Sequence, residues 1–314
     1  MKILFKISDL PAGRQCCGFR ILDLRKKNNF FYSITLLFVL LSSITIRSQI
    51  YTENDVEICS SKFQLAVDKN WENLPIGDLI SEVGKSFIGT DYLAGGIEID
   101  GDEQLVVNFN GLDCTTLLEN SLAISRCIKK GKTSFEDYQH ELRFIRYRGG
   151  VIDEYPSRLH YFSDWIYDNT SKGVVEDMTE EIGGKKVKFN LNFMSTHPES
   201  YKHLQENPEF IPIIEKQEKE ISCRQYFYIP KDKLKSKEEL IDNGDLIAIT
   251  TTIKGLDIGH VGIAVRSEDG RIYLLHAPTE NTKVQISEQP LTDYLLKFKK
   301  HSGIIVLRVI EQIR

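Results

Sequence analysis

One thiol and two imidazoles are the residues of this chain best placed to do chemistry. Cys114 stands in Leu112-Asp113-Cys114-Thr115-Thr116, where a polar turn gives way to the helical spacing of Leu117, Leu118, Leu122, Ile124 and Ile128. If Asp113 caps that helix, Cys114 is its first residue. Unpaired N–H groups and the positive end of the helix macrodipole there favour thiolate over thiol. A rival frame, Thr116-Leu117-Leu118-Glu119, fits a capping box and starts the helix two residues later. Either way the thiol lies at the mouth of the helix. A free cysteine is usually a small buried hydrophobe. Cys127, inside the same helix, fits that description, whereas Cys114 sits beside an aspartate and two threonines.

A nucleophilic thiol needs a base. The chain has 7 histidines, and two of them lie in strand-like apolar runs, Gly259-His260-Val261-Gly262-Ile263-Ala264-Val265 and Leu274-Leu275-His276-Ala277. Between them Glu268-Asp269-Gly270 reads as a hairpin turn. A loop centred on Glu268 places His260 opposite His276, roughly 5 Å apart and on the same face. A two-residue Asp269-Gly270 turn moves the pairing by about three positions. Two imidazoles at one level of a sheet form a base and its orienter, the second fixing the tautomer of the first. His140, His203 and His301 lie among charges and are expected to be solvated.

The elements that must hold these groups fall into two halves. From Leu74 to Lys172 the apolar spacing predicts about four helices, marked by Ile76 to Phe87, Leu117 to Ile128, Phe135 to Ile145 and Leu159 to Ile166. From Gly244 onward, short β-branched runs at 246–252, 261–265, 272–275 and 304–310 predict an antiparallel sheet. The polar stretch 173–243, broken at Gly183-Gly184, His197-Pro198 and Ile229-Pro230, reads as loop-rich. Helices first and a meander afterwards give an α+β class.

Of the 314 residues, 41% are apolar and 27% charged, with a net charge of −5, so a sizeable core is available. Basic residues are scattered, which argues against nucleic acid as a partner. Arg25, Lys26 and Lys27 precede an apolar run, Phe30 to Ile46, that ends at Arg47-Ser48-Gln49, the layout of a secretory signal. Ser33, Thr35, Ser42 and Ser43 interrupt the run, which falls short of the ~20 clean apolar residues of a spanning helix. Export to the periplasm or exterior is therefore expected, with cleavage near Gln49 and no lasting membrane anchor. Met1 to Leu24 exceed a usual n-region, and a start downstream of Met1 is expected. Beyond the leader, Cys59, Cys114, Cys127 and Cys223 show no zinc spacing, so no metal is anticipated.

The chain resembles the NlpC/P60 superfamily of papain-like cell-wall hydrolases, and within it the N-acetylmuramoyl-L-alanine amidase-like branch. The resemblance rests on Gly89-Thr90-Asp91-Tyr92-Leu93-Ala94-Gly95-Gly96, Leu112-Asp113-Cys114-Thr115-Thr116, Gly244-Asp245-Leu246-Ile247, Asp257-Ile258-Gly259-His260-Val261-Gly262 and Leu275-His276-Ala277. Arg158-Leu159-His160-Tyr161-Phe162-Ser163-Asp164-Trp165-Ile166 and Met194-Ser195 resemble the amidase-like branch in particular. Asp91 stands where the wider superfamily has Pro, and Thr115-Thr116 where it has Ser-Gly; the second departure points to that branch.

The resemblance implies a papain-like fold in which a nucleophile helix packs on a C-terminal antiparallel sheet. Residues 1–49 would form the leader, with the signal at about 25–49, and residues 50–314 one domain carrying a large insertion at about 131–243. By the same resemblance Cys114 is the nucleophile, His260 the general base and His276 its orienter. Tyr92 and Asp113 line the cleft, and Arg158, His160 and Ser195 contact the saccharide. The implied substrate is peptidoglycan or its muropeptide fragments, cut by a monomer without cofactor at the amide between N-acetylmuramic acid and L-alanine. Two alternatives stand beside this: an endopeptidase cutting between D-glutamate and the diamino acid, and a non-catalytic wall-binding module.

Overall fold

The computed structural model describes residues 49–279 and 282–311. The expected signal segment lies outside the described residues, apart from Gln49. Among the described residues no helix is long and apolar enough to cross a membrane.

Among the described residues, five helices build the first half: α1 Glu53–Asp68, α2 Ile76–Lys85, α3 Cys114–Lys130, α4 Phe135–Arg146 and α5 Phe162–Ser171. The last four match the sequence expectation. The first does not figure in it, because α1 presents only Cys59, Phe63 and Ala66 as buried apolar residues, a stripe too sparse to register as periodicity. Its start is nonetheless written locally: Thr52 and Asp55 form a capping box. Ser134 and Asp137 do the same for α4, and α3 ends at Gly131, whose left-handed φ of 66° suits glycine.

Two short parallel strands, β1 Asp91–Tyr92 and β2 Gly111–Leu112, lead into α3. The main sheet has eight strands: β3 Val175–Asp177, β4 Lys185–Val187, β5 Tyr226–Pro230, β6 Leu246–Thr251, β7 Ile258–Arg266, β8 Ile272–His276, β9 Gln285–Ile286 and β10 His301–Val309. They run in the order β4-β5-β10-β6-β7-β8-β9, with β3 also on β10, and every pairing is antiparallel. Helices in one part and an antiparallel sheet in the other make this an α+β fold.

Both faces of the central strands are covered, which explains why β6 and β7 read as continuous apolar runs rather than alternating ones. Val261, Ile263 and Leu275 face the helices and pack with Leu79, Val83, Leu117 and Leu122. Ala264, Leu274, Ile247 and Ile249 face the other way, onto Leu291 and Leu295 of α9, Leu291–Lys297. Helix α2 approaches the sheet closely at Gly84, where a Cβ would come within 2.7 Å of Leu275 and 3.0 Å of Ile263.

The polar stretch 173–243 carries more regular structure than its composition indicates. It contributes β3, β4 and β5 to the sheet, and holds α6 Phe193–Thr196, α7 Lys202–Glu206 and α8 Ile211–Ser222. The loop expectation is thus corrected. β3 and β4 are short and partly exposed, so no long apolar run marks them; β5 is the short run Tyr226-Phe227-Tyr228-Ile229, ended by Pro230; and α8 buries only Ile214, Glu218 and Ile221.

Candidate active site

Cys114 is the first residue of α3. Asp113 takes the N-cap in an extended conformation, accepts the Thr116 N–H at 2.7 Å, and donates its own N–H to Thr116 Oγ1 at 2.9 Å. The Asp113 frame is therefore the one adopted, with Thr116 as its reciprocal partner. Glu119, the carboxylate of the rival frame, is buried instead, accepting from Arg146 Nε at 2.7 Å and Trp165 Nε1 at 3.2 Å. Helix geometry alone favoured thiolate, but burial pushes the thiol up to about 11 and the Asp113 carboxylate adds to the rise; backbone groups of Val261 and Thr115 and the Thr115 hydroxyl pull against both. The resting group is a thiol. Its contact with the Val261 backbone sets it beside the residue that follows His260.

Strand pairing fixes the histidines. β7 and β8 pair Arg266 with Ile272 and Ile263 with Leu275, around a three-residue turn, Glu268-Asp269-Gly270. The Ser267 N–H donates to the Arg271 carbonyl at 2.9 Å, and Gly270 takes a φ of 78°, as a three-residue hairpin loop requires. The register lies between the two anticipated ones. Continuing it sets His276 level with Gly262 and His260 two residues further along the same face, a diagonal pair. The rings close the offset: His260 Nε2 lies 2.8 Å from His276 Nδ1, with ring planes 79° apart. Burial, then His276 and His301, takes His260 down to about 3; burial takes His276 down to about 4. Both are neutral at ordinary pH. With Nε2 of His260 committed to its partner, Nδ1 is the nitrogen that can take a proton.

Tyr294, on α9, belongs to this cluster and gives no sign of it in the sequence, where Leu291-Thr292-Asp293-Tyr294-Leu295 reads as a plain amphipathic turn. Its ring stands edge-on to His276 at 5.2 Å. Its phenol is pushed up to about 12, by burial and then by the Cys114 charge, so it lies within electrostatic reach of the thiol. His301 was expected to be solvated. It instead packs against Tyr294 and Phe298 and lines a cavity of about 480 Å³ with His260 and His276. His203 likewise leaves solvent: it is 2% exposed and stacks on Tyr155 at 4.6 Å. Charges adjacent in sequence are not the neighbours of either ring in space.

The remaining expected residues are placed as follows. Tyr92 is partly buried on β1, its N–H donating to the Thr282 carbonyl at 2.9 Å, at the edge of the same region. Arg158 is buried between Glu98, at 2.7 Å, and Glu103, at 3.2 Å; burial works against its charge, and the two carboxylates more than offset that. His160 donates from Nε2 to the Tyr155 carbonyl at 2.8 Å and is held down to about 3 by burial and then by Arg158. The Ser195 hydroxyl donates to Glu218, which also accepts from Tyr161 at 2.7 Å. These three side chains already have protein partners. Among the described residues no group of three His, Cys, Asp or Glu is arranged to hold a metal ion.

A family model described as N-acetylmuramoyl-L-alanine amidase-like matches residues 82–304. An N-acetylmuramoyl-L-alanine amidase from Bacteroides uniformis is 38% identical, over 74% of this chain and 98% of its own, with a TM-score of 0.71. A Bacteroides fragilis protein named as a candidate xylanase is 42% identical, over 72% of this chain and 99% of its own, at 0.68. A Legionella pneumophila protein at 22% identity covers 82% of this chain and 97% of its own, with a TM-score of 0.61, and shares the fold. A comparison with curated proteins finds no match. The matched span contains the capped thiol, the histidine pair and Tyr294, and with it the chain belongs to the N-acetylmuramoyl-L-alanine amidase-like family.

Proposed function

We propose that this protein is a cysteine-dependent peptidoglycan amidase that cuts the amide between N-acetylmuramic acid and L-alanine, in the wall or in its released muropeptides. The observation that carries the reading is the 2.8 Å bond between His260 and His276 at the end of the sheet where the Cys114 thiol meets the Val261 backbone. A papain-like fold of the NlpC/P60 kind fits the same facts: a nucleophile on the first turn of α3, packed on an antiparallel sheet that carries its base. On this reading residues 50–314 are the exported working domain and residues 1–49 its leader.

The chemistry follows from the protonation states. Burial pushes the thiol up to about 11 and the imidazole down to about 3, so on this reading both groups rest neutral. The proton therefore passes from Sγ to Nδ1 of His260 as Sγ attacks the amide carbonyl. His276 accepts from His260 Nε2 throughout, holding the ring in the tautomer that leaves Nδ1 open. The oxyanion forms at the start of α3, where the Cys114 N–H has no helical partner and the macrodipole is positive. His260 then returns the proton to the departing amine of L-alanine, leaving the muramyl acyl group as a thioester. Water, deprotonated by His260, adds to that thioester; the tetrahedral adduct expels the sulfur, and the carboxylic acid and thiol are regenerated.

Mass spectrometry of the products from a purified anhydro-disaccharide tetrapeptide tests the reading. Free disaccharide plus intact tetrapeptide is expected from the wild type, with turnover lowered by at least about 10⁴-fold in Cys114→Ala. A shortened disaccharide-peptide would instead make the enzyme an endopeptidase. Unchanged turnover in the variant would remove the thiol mechanism.

A further inference from the structure

The cavity beside the histidine pair is walled by polar groups that lack partners. It measures about 480 Å³, and its wall includes His276, Tyr294, Lys297, Phe298 and His301. Among the described residues, Nε2 of His276 and Nδ1 of His301 are buried without a hydrogen-bond partner, and His276 is only 1% exposed. A buried polar atom left unpaired is costly, and two in one wall mark a place where a ligand supplies the missing partner. The tautomer argument fixes the sign of one of them. If His260 Nε2 donates to His276 Nδ1, the hydrogen of His276 is on Nε2, so a residue of the wall holds a donor that is not used among the described residues. Lys297 adds a cation to the cavity wall and makes no ion pair among the described residues.

An N–H donor and an ammonium that both lack a partner among the described residues together select an anion. On the amidase reading the substrate carries its charge on one side only. The acyl side is a neutral sugar whose carboxyl is tied up in the scissile amide, whereas the peptide side bears free carboxylates. We infer that this cavity binds a carboxylate of the stem peptide, on the leaving side of the scissile bond, through His276 Nε2–H and Lys297. The substrate thereby supplies the acceptor at the far end of the His260–His276 chain. As His260 takes the thiol proton, the new positive charge is shared along the chain toward that carboxylate, so the contact strengthens in the transition state. Glu288 is also in the wall, and a peptide with an ammonium further along suits the cavity better than a simple anion does.

The test uses two disaccharide-tripeptides that differ only in the second residue, D-glutamate with its α-carboxyl free or amidated. The expected result is that the wild-type protein cleaves the free acid with a kcat/KM at least roughly tenfold above the amide. Lys297→Ala should lower the ratio, leaving only the His276 contribution, and Lys297→Arg should restore it. Lys297 is exposed on α9, so these substitutions leave the core untouched. A wild-type ratio near one, or a Lys297→Ala ratio equal to the wild type's, overturns the assignment. The bond cut is read from the same digests: cleavage at another bond overturns the amidase reading while the ratio still judges the cavity. No cleavage of either substrate overturns both.

Discussion

At the residue scale the central fact is a neutral thiol beside neutral imidazoles. A cysteine at a helix start is expected to be acidic, and Leu112-Asp113-Cys114 made that expectation readable in sequence. What sequence could not supply was the desolvation that reverses it, to which the charge of the adjacent Asp113 adds. The state has a direct chemical signature. Alkylation of Cys114 by iodoacetamide should be slow at pH 7 and rise tenfold per pH unit toward about 11, where the thiol titrates. A rate already at its plateau by pH 7 would mean a resting thiolate and would contradict the concerted proton transfer. Because His260 stays neutral down to about 3, kcat/KM should show no falling limb near pH 6.5. Tyr294 and His301 were invisible for a different reason. Both reach the site through tertiary packing, Tyr294 from α9 on the far face of the sheet and His301 from the start of strand β10, which no local pattern encodes.

At the element scale, helix α3 and strands β6, β7, β8 and β10 were legible because long apolar runs record burial on known periods. Strands β3 and β4 were not, since three residues in a polar segment carry too little pattern, and β5 is a four-residue apolar run that Ile229-Pro230 made read as a break. The hairpin register was undecidable because Glu268-Asp269-Gly270 supports both a two-residue and a longer turn, and only the paired strands choose. Thr115 and Thr116 looked like a signature of substrate choice, yet Thr116 has a visible task in closing the capping box with Asp113. Thr116→Val should therefore destabilise the domain by about 1 kcal/mol, lowering the Tm by roughly 2–4 °C. It should leave the bond cut unchanged. A shift of cleavage to the peptide stem in that variant would return Thr116 to a role in specificity.

Over the whole molecule, histidines desolvated by the fold couple it to pH. His160, His260 and His276 are held to about 3, 3 and 4 by burial, whereas in the unfolded chain each titrates near 6.5. Below that value the unfolded state binds more protons than the folded one, so stability falls as pH drops. The loss sets in near pH 6.5, deepens toward 4, and levels off only below the folded values. Urea midpoints measured from pH 7.5 to 5 should decline across the lower part of that range; a flat profile would mean that the rings are solvated. On the proposed mechanism the same closed environment serves the chemistry, because the burial that keeps the imidazoles neutral would leave His260 available as a base at acidic pH. The measurement that bears most directly on the account is the intact mass of the protein quenched during turnover of a disaccharide-peptide. A covalent adduct on Cys114 with the mass of the disaccharide acyl group, and no amino acid, is the expected species. An adduct that carries amino acids, or one that maps to another residue, would contradict it.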